Sequence, residues 1–129
     1  MRQALFLAVL VSAISLSAHG ADVVTKWRGT STCQVHPSAC HDETVVYYGR
    51  ETGPDSYRLS AYKVVGGKEV GMGEAAGFHS GNTLTLYTRD SRGRESTWNL
   101  TINGDHLSGT LTTPDGVIFR CIEADRTNE

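Results

Sequence analysis

After its first twenty residues the chain has no apolar run long enough to cross a bilayer, no amphipathic helical period and no surplus of basic charge. The first absence leaves no second membrane segment, so no membrane insertion is expected. The second leaves strands and turns as the regular structure. With 12 basic and 14 acidic residues the formal net charge is −2, and no basic patch carries interleaved aromatics. Nucleic acid is therefore not an expected partner. The three prolines, Pro37, Pro54 and Pro114, all fall in connections. The 14 glycines are scattered rather than repeated, which excludes a low-complexity chain. Ser, His and Asp occur, but none stands in a nucleophile elbow. The reading is of a protein without catalysis, with no cofactor expected.

What the chain does have begins with a leader. Met1-Arg2 supplies charge, Ala4–Leu16 is apolar, and Ser17-Ala18-His19-Gly20 offers small residues before Ala21. This is the pattern of a secretory signal peptide, and its apolar run is too short to anchor the chain. Residues 1–20 are expected to be removed, and residues 21–129 to form one domain, near the commonest domain size. An exported protein, periplasmic or secreted, follows.

From Thr97 to Asp125 three runs alternate with period two: Trp98, Leu100, Ile102; Leu107, Gly109, Leu111; Ile118, Arg120, Ile122. Asn103-Gly104-Asp105 and Pro114-Asp115-Gly116 join them. Alternation marks half-buried strands, and Asn-Gly or Asp-Gly between two such runs marks a hairpin. The same rhythm runs through Thr25–Val35, Thr44–Thr52, Tyr57–Val65, Glu69–Phe78 and Thr83–Arg89. Glu69–Phe78 is the weakest of these, since its internal glycines suggest a bulge, a bend or a close approach. Eight strands joined mostly by short turns predict an all-β fold: an eight-stranded antiparallel up-and-down β-barrel, closed and without free edges. The longest connection is His36–Glu43. A monomer is expected.

The cysteines suit the exported setting. Cys33 and Cys40 bracket the long loop, and a bridge between them is favoured; Cys33–Cys121 is also open if the first and last strands are neighbours. No metal is expected. The rival is a Cys2His2 set of Cys33, His36, Cys40 and His41, whose spacing is not a standard zinc pattern and which oxidation would abolish.

Trp27 with Gly29 nearby, eight meander strands and Arg120 in the last strand resemble the calycin group, lipocalins included. The order Trp27-Arg28-Gly29 differs from the Gly-x-Trp of lipocalins. The resemblance implies that Trp27 and Arg120 pack together at a closed end, opposite any ligand mouth. The chain is also similar to small exported bacterial proteins without assigned activity. The shared segments are Cys33–Tyr47, Lys63–Lys68 and Trp98–Leu111.

Eight strands leave room inside for side chains or one small ligand. Tyr47, Tyr57, Tyr62, Tyr87, Trp98 and Phe119 are the candidate lining residues, though an aromatic on an alternating strand is commonly plain core. The expected function is non-catalytic binding of a small apolar or amphipathic ligand in the barrel interior. The alternative is an interaction or inhibitor-like module that touches another exported protein through the 36–43 loop.

Overall fold

A computed structural model describes residues 23–35 and 39–128; the expected signal peptide (residues 1–20) and His36 lie outside the described residues. The strands are β1 (Thr25–Cys33), β2 (Glu43–Glu51), β3 (Ser56–Val65), β4 (Lys68–Ser80), β5 (Thr83–Arg89), β6 (Glu95–Asn103), β7 (His106–Thr112) and β8 (Ile118–Thr127). Each pairs antiparallel with the next, and β8 returns to β1 from Lys26–Thr127 to Cys33–Arg120, closing a barrel. This is the up-and-down barrel that the alternation predicts, and it is calycin-like in form.

One set of alternate residues on each strand faces inward. Trp27, Val45, Tyr47, Leu59, Leu86, Leu100, Leu107 and Ile122 are fully buried and fill the middle of the barrel. The interior is a packed core rather than a hollow tube. At the seam, a Cβ on Gly29 would collide with the Glu123 carbonyl and the Ala124 backbone. β8 can lie that close to β1 because Gly29 has no side chain.

Two irregularities break the period. Ala61 pairs with Gly73 and Tyr62 with Gly71, so Met72 is an extra residue in β4. Gly73 there has φ +112°, a backbone that L side chains rarely adopt. Leu111 pairs with Arg120 and Thr112 with Ile118, so Phe119 is extra in β8. β4, weakest on propensity, is the longest strand at 13 residues, because β3 pairs with it from Lys68 to Phe78 and β5 from Ala76 to Ser80. Long pairing outweighs glycine's low strand propensity.

Candidate functional site

The two ends of the barrel differ. One carries the β1–β2 loop, where Cys33 and Cys40 form a disulfide with Cα atoms 5.9 Å apart. The Cys33 N–H donates to Asp42 Oδ1 at 2.8 Å, fixing the loop's return. Arg120 reaches across this end. Its Nη1 donates to the Ser31 carbonyl (3.1 Å) and Ser31 Oγ (3.0 Å), and its Nη2 to the His41 carbonyl (3.0 Å). Glu43 lies 3.8 Å away and balances the charge. One guanidinium thus ties β8 to β1, the loop and β2.

Beneath Arg120 lies a recess of about 110 Å³. Tyr47, Trp98, Leu111, Phe119, Ala61 and Met72 give its apolar wall; Ser31, Glu43, Glu74, Thr88 and Arg120 give it polar groups. Tyr47 meets Trp98 edge to face, centroids 5.6 Å apart. Trp98 Nε1 donates to Thr88 Oγ1 at 2.5 Å, which satisfies the indole and fixes the ring. Burial drives the Tyr47 phenol far above its ordinary pKa, against the opposing pull of Arg120, so it stays neutral. The recess offers aromatic faces, a neutral phenol and one compensated ion pair.

The sequence candidates divide. Tyr47, Trp98 and Phe119 come together in the recess. Tyr57 faces inward but at the opposite end. Tyr62 and Tyr87 face outward and are corrected. Tyr57, Leu59 and Ala61 set the inward phase of β3, which turns Tyr62 out against Tyr48, centroids 5.5 Å apart. Leu84 and Leu86 do the same in β5, leaving Tyr87 exposed. Met72, Leu111, Ala61, Ser31, Glu43 and Thr88 were not among the candidates. Strand phase marks most of them as inward, but nothing in the sequence marks Met72.

The pairing of Trp27 with Arg120 is overturned. The antiparallel register sets Trp27 opposite Arg126 and Cys33 opposite Arg120. Six residues separate the two arginines, about 20 Å along a strand. Arg126 is the residue over the indole, 5.4 Å from the ring centroid. The end with Trp27 is not closed either. It carries a wide groove of about 780 Å³ among Trp27, Arg50, Glu51, Tyr57, Ile102 and Arg126. Trp27 itself is only 1% exposed, so a molecule there meets charged side chains and little aromatic surface. The Tyr57 hydroxyl is near Trp27, but buried Trp27 Nε1 and His79 Nε2 make no hydrogen bond among the described residues, His79 Nε2 lying 3.8 Å from Glu51.

The Cys2His2 metal set is also overturned, because the disulfide consumes both thiolates. Cys121 keeps a free thiol.

Comparison with family models, curated proteins and solved structures found no match to this chain. The architecture and the recess are the ground on which function is argued.

Proposed function

We propose that the protein is an exported, non-catalytic, lipocalin-like barrel that holds a small apolar or amphipathic ligand in the recess beside the disulfide loop. The observation that carries this is the recess itself, an aromatic-walled space that Ser31, Glu43, Glu74, Thr88 and Arg120 also line. Its size narrows the ligand. A dry cavity of about 150 Å³ takes a benzene molecule, so a recess of about 110 Å³ takes at most part of one ring or a short branched chain, and not a fatty acid. The filled middle of the barrel favours a site at the end over one along the axis. A hydroxyl or carbonyl on the ligand would lie toward Ser31 and Thr88, with the apolar part against Trp98 and Leu111. Export is supported by the leader and by the Cys33–Cys40 bridge, which suits an oxidising compartment.

Titration with phenol and with isobutanol, followed by amide and methyl NMR, tests the site. The expected result is saturable one-to-one shifts at the Trp98 indole N–H and the Leu111 methyls, weakened at least tenfold by Ala61→Leu. Shifts confined to Ile102 and Leu84 at the other end, or none that saturate, would overturn the reading.

A further inference from the structure

The barrel wall is incomplete beside β4. β3 pairs with β4 from Lys68 to Phe78, whereas β5 pairs with it only from Ala76 to Ser80. Beyond Tyr87, the last residues of β5, Thr88 and Arg89, pair with β6 alone. From Lys68 to Ala75, therefore, the far edge of β4 has no strand beside it among the described residues. Such an edge presents alternate N–H and C=O groups as a template for another strand.

The two faces of this edge differ in chemistry. Ala61 and Leu59 face inward, and so do their partners Gly73 and Ala75. On the same side Val70 and Met72 stay 42% and 40% exposed, and Met72, Gly73 and Glu74 border the recess. The outward side carries two carboxylates. Glu69 accepts from the Tyr48 hydroxyl at 2.7 Å, and Glu74 accepts from Ser60 Oγ at 3.2 Å. Arg58 lies 3.5 Å from Glu74, an exposed pair of the weak kind. Around Gly73 the space a Cβ would fill is open, so the backbone there is bare.

We propose that this edge receives an extended peptide segment of a partner protein, added as a strand beside β4, with apolar side chains facing inward and basic ones outward. Strand addition draws affinity from main-chain hydrogen bonds and specificity from pockets for alternate side chains. The recess is the pocket here, open at Gly73 to one inward side chain. Glu69 and Glu74 supply the preference for basic residues. They also disfavour a second copy of this chain, because pairing two such edges sets acidic faces together. The proposal goes beyond small-ligand binding: the main-chain pairing rests on the edge, and only one side chain uses the recess.

The test uses a blocked nine-residue peptide alternating Lys with Val, with Ala in place of the central Val. Two further versions are N-methylated on alternate residues, one along each edge of the extended chain. Amide NMR and hydrogen exchange of the intact protein should show shifts and protection concentrated in Gly71–Ala75. One N-methylated version should lose binding at least tenfold while the other keeps it. Glu69→Lys with Glu74→Lys should weaken the Lys peptide at least tenfold and improve a Glu-Val peptide. Ala61→Leu, which closes the recess to phenol, should leave this small-centred peptide bound, which separates the two claims. Equal binding by both N-methylated versions, or shifts that avoid β4, would overturn the proposal.

Discussion

His106 sits between two carboxylates on the outer face of β7 and β8. Its Nδ1 lies 2.9 Å from Asp125 Oδ1, and its Nε2 contacts Glu123 Oε2. The hydrogen bond to Asp125, then that to Glu123, raises its pKa above the ordinary value near 6.5. A raised folded pKa means that the stabilisation is fully present below 6.5 and fades as pH rises through the folded value. We expect NMR titration to place His106 above 6.5 and Asp125→Asn to return it toward that value; an unchanged titration in the variant would contradict the assignment. The phase of a strand was legible at this scale, and Tyr62 and Tyr87 could have been set aside by counting from Leu59 and Leu86. Met72 and Phe119 could not have been placed that way. Each is the extra residue of a bulge, and a bulge reflects how two strands pair rather than either sequence alone. Arg120 and Arg126 share one phase, so choosing between them required the register of β1 against β8.

β1, β2 and the connection between them act as one element. The disulfide, the Asp42 bond to the Cys33 amide and the Arg120 clamp on the His41 carbonyl hold the loop at the rim of the recess. A bridge of sequence separation 7 closes a short loop, worth on the order of 2 kcal/mol through the unfolded chain. Replacing both cysteines by alanine should lower the urea unfolding free energy by about that amount. An unchanged midpoint would mean that Arg120 and Asp42 suffice. The bridge was foreseeable from the leader-like pattern of residues 1–20 and the loop's length. The reach of β4 was not, because its glycines argue against a strand and only its pairing with β3 outweighs them.

On the scale of the whole molecule, closure through β1 and β8 turns eight modest strands into one core. It leaves two unlike ends: a charged groove around Arg126 and an aromatic recess under Arg120. The fold class was legible because alternation recurs strand after strand, with turn residues in nearly all of the seven connections. The site was legible only in part, since its walls depend on where the core stops filling the barrel. The central claim is that the recess holds a small molecule in the protein's own setting. Native mass spectrometry of the protein isolated from its own source tests this most directly. The account predicts one small molecule bound stoichiometrically to the wild-type chain and missing from Ala61→Leu prepared in the same way. A wild-type chain at its bare mass, or an adduct that Ala61→Leu retains, would contradict it.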